Sequence, residues 1–326
     1  MWPLLQRLNR SLILAIPVMM VAGFVCGWVW DLVFLKKLIL PFTFLMVYPM
    51  MVTLKIRQVF AGGDLKAQVL TQCLNFTLIP LFAYFLGTQF FDAQPAMALG
   101  LLLAALVPTS GMTISWTGFA KGNLAAAVKM TVIGLVLGSL ATPLYVQALL
   151  GATIPVDMLR IFMQIVLVVF LPMAAGYLTQ RALVKRYGQQ SFQQQLAPKF
   201  PGLSTIGVLG IVFIAIALKA RGIAAHPEAL LSIFVPLLLL YGGNFLLSTL
   251  LGRLLLPRGD AIALVYGSVM RNLSIALALA MSAFGSAGAD AALVISIAYI
   301  IQVQSAAWYV RFTDRFFGAV PETQPA

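Results

Sequence analysis

Arg271 lies eleven residues beyond Asp260 inside an apolar run. In a helix rising about 1.5 Å per residue that is roughly 16 Å, close to the midplane of a bilayer. A central arginine costs roughly 2.5 to 3.5 kcal/mol to insert, so it must face a protein interior or an aqueous cavity and have a partner. The nine acidic residues, Asp31, Asp64, Asp92, Asp157, Glu228, Asp260, Asp290, Asp314 and Glu322, all fall in loops or at helix ends, and none is expected beside it. Its partner is then either backbone carbonyls at helix C-terminal ends, or an anionic substrate held with the help of opposed helix N termini. An arginine that only braces unwound carbonyls fits the same position. The substrate-facing reading is preferred because intramembrane ionisable groups are functional by default.

Other residue types narrow the chemistry. Lys129 is about 10 Å into its span from Gly122 and is expected to snorkel to the interface. Asn75, Gln302 and Gln304 read as ligands or as interhelical hydrogen bonders, the second being the commoner role. Met19 with Met20, and Met46 with Met50 and Met51, read as packing rather than as metal sites. Cys26 and Cys73 lie inside apolar stretches, which argues against a disulfide framework or a zinc site, and the one histidine, His226, falls in a short loop. No cofactor or resident metal is called for. Hydrolysis inside a membrane would need a Ser-His, paired-Asp or metal constellation, so no catalytic residue is assigned. Proton relays normally employ Asp, Glu or His, and none is expected in the core. Sodium can still be held by hydroxyl, amide and carbonyl oxygens, although a nearby arginine would oppose it.

The elements that position these groups follow from composition. Of 326 residues, 61% are hydrophobic and only 9% charged, so the bilayer is the expected solvent. The formal net charge of +12 comes from Lys and Arg set singly or in pairs between apolar runs, which speaks for membrane topology and against nucleic acid. Ten spans of suitable length can be drawn: 11–30, 38–54, 67–90, 96–120, 125–150, 158–180, 203–220, 230–251, 261–284 and 291–310. The first reads as a span rather than a cleavable signal. With the N terminus inside, the cytoplasmic loops receive most of the basic residues, among them Arg7, Arg10, Lys55, Arg57, Arg181, Lys185, Arg186 and Arg258. Only Lys36, Lys37, Arg160, Lys219 and Arg221 fall outside, which predicts an inner-membrane, multi-pass protein with both termini cytoplasmic. Arg181 to Lys199, with its Gln-rich centre, reads as a cytoplasmic loop.

A dividing line near Pro155 gives five spans in residues 1–155 and five in 156–326. An odd number reverses polarity, as in an inverted repeat. The fourth span is interrupted by Pro108, Thr109, Ser110 and Gly111, and the ninth carries Gly267, Ser268, Arg271 and Asn272 mid-span. Interrupted helices at matching positions of two halves point to a transporter binding site.

Three windows carry a family resemblance: Pro108 through Trp116, Lys121 and Gly122 to Thr131; GSVMRNLSIALALA from Gly267 to Ala280; and LMVYPMMVTLK from Leu45 to Lys55. Asn75 with Pro80 adds a polar residue and a proline in the third span. As a set they resemble the bile acid:sodium symporter superfamily, which includes the arsenite permeases. The resemblance implies an all-α membrane protein with broken crossing helices four and nine, and core and panel subdomains interleaved between the repeats. It also implies alternating access by movement of one subdomain against the other.

The departures are specific. The cysteine of the arsenite permeases falls on Thr109, and their ninth-helix glutamate on Ser274. On the bile acid side the sodium-ligating glutamate falls on Gly267, its neighbouring glutamine on Arg271 and an asparagine on Ile114, while Thr113 and Thr131 keep hydroxyls. One reading reconciles these changes: the guanidinium of Arg271 permanently occupies the place of a sodium ion, and transport is then sodium-independent and favours anions.

The expected function is secondary transport of a small organic or inorganic anion. The expected substrate-binding set is Thr109, Ser110, Thr113, Arg271, Asn272 and Ser274, with Asn75, Thr131 and Lys129 as a coupling-ion or polar-core set. The rivals are a metalloid exporter of arsenite-permease type and a transport-dead sensor or scaffold.

Overall fold

The computed structural model describes residues 12–54, 64–152, 157–225, 228–285 and 287–318, and among these the regular structure is helical. Pro155, His226, Lys55, Arg7, Arg10, Arg57 and Glu322 lie outside the described residues. In chain order the helices are α1 Leu12–Val29, α2 Ile39–Val52, α3 Leu65–Phe90, α4 Pro95–Leu106, α5 Gly111–Phe119 and α6 Leu124–Leu150. There follow α7 Met158–Tyr187, α8 Phe200–Ala225, α9 Glu228–Leu255, α10 Arg258–Val269, α11 Leu273–Ala283 and α12 Ala287–Phe317. Among the described residues, seven stretches are long and apolar enough to cross a membrane, and Leu14–Val29, Pro95–Leu106 and Leu273–Ala283 are shorter apolar helices. The protein is a multi-pass membrane protein.

Both interruptions expected from sequence are present. The span drawn over 96–120 is two helices, α4 and α5, and that over 261–284 is α10 and α11. The Gln-rich segment differs from expectation. Instead of a loop, α7 runs on to Tyr187, turns at Gly188 (φ +80°) and continues through short helical turns into α8.

Burial separates two kinds of helix. In α1, Leu14, Val18, Val21 and Val25 are exposed at helical spacing, the stripe that would meet lipid, while Ile16, Gly23 and Gly27 are buried. Gly23 and Gly27 form a GxxxG pair on which α8 lies backbone to backbone: a Cβ at Gly27 would stand 2.1 Å from the Ala217 carbonyl oxygen. In α4 and α10, by contrast, whole runs are buried on every side, Leu99 to Leu106 and Ala261 to Val269. A helix apolar all round belongs in the centre of a bundle, so the broken helices are wrapped by the others.

Packing follows the same division. Helix α8 packs on α1 and α2, and α2 on α7. Helices α3, α4, α5, α6, α9, α10, α11 and α12 make the other large set of contacts, and the two groups meet where α12 touches α1 and α8, where α11 touches α2, α7 and α8, and where α6 touches α7.

Candidate functional site

Proline at 108 has no N–H to offer a continuing helix, so α4 ends there. Thr109 then takes φ +62°, a left-handed conformation that β-branched residues seldom adopt. Its hydroxyl donates toward the carbonyls of Pro108 (2.7 Å) and Thr131 (3.2 Å). Two glycines of α6 make room: a Cβ at Gly134 would lie 2.6 Å from Thr109 Oγ1, and one at Gly138 would lie 2.5 Å from Pro108 Cδ. Helix α5 restarts with a capping box, Ser110 Oγ accepting from Met112 N and Thr113 Oγ1 accepting from Ser110 N, each at 3.2 Å.

The second break mirrors this. Asn272 caps α11 by accepting from Ile275 N (3.2 Å), and Met270 through Asn272 is not helical. The breaks touch: Asn272 N donates to the Val107 carbonyl at 2.8 Å, and Pro108 pairs with Arg271 as an antiparallel bridge.

A helix that stops inside the protein leaves carbonyls without partners. Asn75 Nδ2 donates to Gly267 O (3.0 Å) and Asn244 Nδ2 to Ser268 O (2.8 Å), closing the end of α10. Gln302 clamps the next peptide, its Oε1 accepting from Arg271 N (2.8 Å) and its Nε2 donating to Arg271 O (3.2 Å), while Tyr241 donates to the same Oε1 (3.0 Å).

The backbone of Arg271 is thus fully engaged and its side chain is not. Arg271 is 3% exposed, and its two terminal nitrogens have no hydrogen-bond partner among the described residues. Arg271 is among the residues that border a cavity of about 320 Å³ between the broken helices and α2 with α8. Its walls include Met50 and Thr53 of α2, Ser110, Gly111 and Ser115 of α5, Ser204 of α8, Ser274 of α11, and Tyr299 and Gln302 of α12, with no carboxylate among them. The Ser274 hydroxyl and the Tyr299 phenol share a hydrogen bond. Gly111 faces open space, so the first amides of α5 stand close to the cavity without a side chain in front of them. A buried cation, two helix N termini and several hydroxyls together suit an anion.

Residues 40–226 match the sodium bile acid symporter family. An uncharacterized sodium-dependent transporter of Bacillus subtilis, YocS, is 30% identical over 227 residues, covering 68% of this chain and 67% of that protein. The chain belongs to the sodium bile acid symporter family. The arsenical-resistance protein Acr3 of Alkaliphilus metalliredigens is 28% identical over 209 residues, 59% of this chain and 57% of Acr3. The probable chloroplastic sodium/metabolite cotransporter BASS1 of Arabidopsis thaliana is 27% identical over 216 residues, 65% of this chain and 51% of BASS1. The matches thus span less than two thirds of the length of the Acr3 and BASS1 relatives.

Within this family member the residues singled out by sequence divide into three places. Ser110, Arg271, Asn272 and Ser274 line the cavity. Thr109 and Thr113 are fully buried and line none of it: the first is turned toward α6, the second is spent in the α5 cap. Thr131 borders an adjoining space of about 60 Å³ shared with Ser110 and Asn272, and its hydroxyl donates to Ala127 O at 2.8 Å. Asn75 serves the backbone of α10.

Lys129 corrects the sequence reading. Instead of snorkelling it is 4% exposed and ion-paired with Asp64. Asp64 opens α3, where Gln68 N donates to its carbonyl (3.0 Å) and Gln68 Nε2 to its Oδ2 (3.0 Å). It is buried because the start of α3 packs against α6 and α10. A charged pair therefore does lie inside the protein, where the sequence predicts no carboxylate. Asn244, Tyr241 and Tyr299 are absent from the sequence-derived set. Asn244 had a signal, an amide deep in an otherwise apolar span beside Gly242 and Gly243, whereas the tyrosines look like ordinary core aromatics.

Proposed function

We propose that this family member is a secondary transporter that carries a small anion, most suitably an organic one, across the cytoplasmic membrane by alternating access. One observation carries the reading: buried Arg271, whose two terminal nitrogens have no hydrogen-bond partner among the described residues, lines a cavity whose described walls carry no carboxylate, where two broken helices cross. Arg271 supplies charge complementarity, Ser110, Asn272 and Ser274 supply polar contacts, and the N termini of α5 and α11 supply backbone N–H groups. Thr109 and Thr113 hold the first break in shape. Asn75, Thr131 and the Lys129 pair belong to the polar core around the crossing.

The proposed architecture is ten transmembrane helices in two inverted five-helix repeats, residues 1–155 and 156–326. Helices α1, α2, α7 and α8 form the panel that moves against the remainder, which forms the core, and both termini are cytoplasmic. Sodium coupling is replaced: the fixed charge of Arg271 stands for the cation, so transport proceeds in sodium-free medium.

Acr3 is named for arsenical resistance, but a metalloid route through this cavity lacks the soft thiolate that trivalent arsenic prefers. Neither cysteine borders the cavity. Expression in an arsenite-sensitive host should leave it sensitive.

The decisive experiment is uptake of a panel of labelled small carboxylates and inorganic anions into proteoliposomes by the native chain and by Arg271→Ala. The expected result is uptake by the native chain, with or without sodium, and at most background flux by the variant while it still purifies as a folded membrane protein. Unchanged flux in Arg271→Ala removes Arg271 from the mechanism. Absence of flux for every anion favours a sensor on the same fold.

A further inference from the structure

Three ion pairs of this protein differ in what they join. Lys129–Asp64 ties α6 to the start of α3, and Arg258–Asp314 ties α10 to α12, so both lie within the core. Lys219–Asp290 (2.7 Å) ties α8 to the first turn of α12, and so fastens the panel to the core.

Its place along those helices sets what it can do. The cavity that Arg271 borders takes in Thr53 at the C-terminal end of α2, Pro201 in the first turn of α8 and the exposed Gly111 and Ser115 of α5, so it opens at that end of the seam between panel and core. Lys219 is eleven residues beyond Val208, the last cavity residue of α8, and Asp290 is nine residues before Tyr299 of α12. The pair therefore stands roughly 13 to 17 Å farther along, away from the cavity mouth. In between, α8 packs on α12, and Val212, Ala215 and Ile216 of the one and Val294 and Ala298 of the other are buried. The seam is open at one end and shut at the other, and the ion pair crosses it at the shut end.

The exposure of the pair suits a contact that comes apart. Its side chains are 29% and 30% exposed and stand on a recess of about 390 Å³ that also takes in Gln94, Met97 and Gly222. Water that already reaches both groups can solvate the ammonium and the carboxylate once they separate, so the pair holds weakly and opens readily. The buried Lys129–Asp64 pair has no such replacement.

We infer that Lys219 and Asp290 form a latch on the far side of the carrier, joined while the cavity opens at the α2 and α8 end and parted when the panel moves to open the opposite face. The inference rests on the alternating-access reading above and adds the contact that sets the balance between the two faces.

The test uses the full chain with Cys26→Ser and Cys73→Ser, a single cavity thiol from Ser115→Cys, and a membrane-impermeant maleimide applied to right-side-out and inside-out membrane vesicles. With Lys219 and Asp290 in place, labelling is expected to be fast from one face and slow from the other. Asp290→Asn or Lys219→Met should each raise the slow-face rate about two- to fivefold, the scale of an exposed pair. The two changes together should add nothing to either alone, and Lys219→Arg, which keeps the charge, should label as the native pair does. Slow-face rates that stay unchanged in both single variants overturn the latch, as do two effects that simply multiply.

Uptake of labelled carboxylates into proteoliposomes by the native chain and by Arg271→Ala tells failure of the latch from failure of the carrier. Uptake that depends on Arg271, with slow-face rates unmoved by the single variants, removes the latch and leaves the carrier. No uptake of any anion, with one-sided labelling in every variant, overturns both.

Discussion

Two buried cations in this protein are treated in opposite ways. Lys129 meets Asp64, whose second oxygen accepts from Gln68, so its charge is answered inside the fold. Arg271 has its peptide held by Gln302 and its terminal nitrogens left without a hydrogen-bond partner among the described residues. The two should therefore respond differently to substitution. Lys129→Met leaves Asp64 buried without its ammonium and should destabilise the protein by about 3 to 5 kcal/mol. Adding Asp64→Leu should recover most of that loss, and a double-mutant cycle on the thermal unfolding of the four proteins measures it. Arg271→Gln, by contrast, should cost little stability and remove anion binding, because the terminal nitrogens of the native guanidinium have no partner to lose among the described residues. Of these two sites, Arg271 is legible in sequence, since helical rise alone puts it at mid-membrane. The Lys129 pair is not, because nothing in the order of residues says that a carboxylate just before a helix will be folded inward against α6.

At the scale of elements, the breaks persist because other helices complete them. Pro108 and the Gly267 to Asn272 run announce interruptions in the chain itself, and the boundaries of α4, α5, α10 and α11 follow the sequence expectation closely. What the chain does not announce is who satisfies the exposed backbone. Asn244 reaches the Ser268 carbonyl from a helix that otherwise reads as plain membrane span. Truncating Asn244→Ala or Asn75→Ala strands one buried carbonyl and should cost about 1 to 3 kcal/mol each, visible as a lowered melting temperature in detergent. Gly138→Ala places a methyl 2.5 Å from Pro108 Cδ and should shift the first break. Overpacking of this kind costs about 1 to 3 kcal/mol, so the variant should still fold while its uptake falls well below that of the native chain. Native-like uptake in Gly138→Ala would show that the geometry of the first break is not limiting.

For the whole molecule, the packing of α1, α2, α7 and α8 on one side of the cavity, and of the broken helices on the other, is what makes relative motion of two bodies a sensible account of transport. The helical membrane class is legible because a bilayer imposes length and apolarity on every crossing segment. Which group packs with which is not, since lipid-facing and protein-facing surfaces are equally apolar and only close approaches such as Gly23 and Gly27 on α8 distinguish them. A carrier whose fixed cation is Arg271 should move its substrate equally well when sodium is replaced by N-methylglucamine. A several-fold dependence on sodium would restore the coupling ion that this account removes.

The most direct measurement is the position of a heavy-atom carboxylate in the folded protein. A crystal structure with 4-iodobenzoate should show anomalous density for iodine inside the cavity between α2, α8 and the broken helices, with the carboxylate on the two terminal nitrogens of Arg271. Iodine located elsewhere, with that guanidinium turned to lipid or bonded to backbone carbonyls alone, would contradict the account.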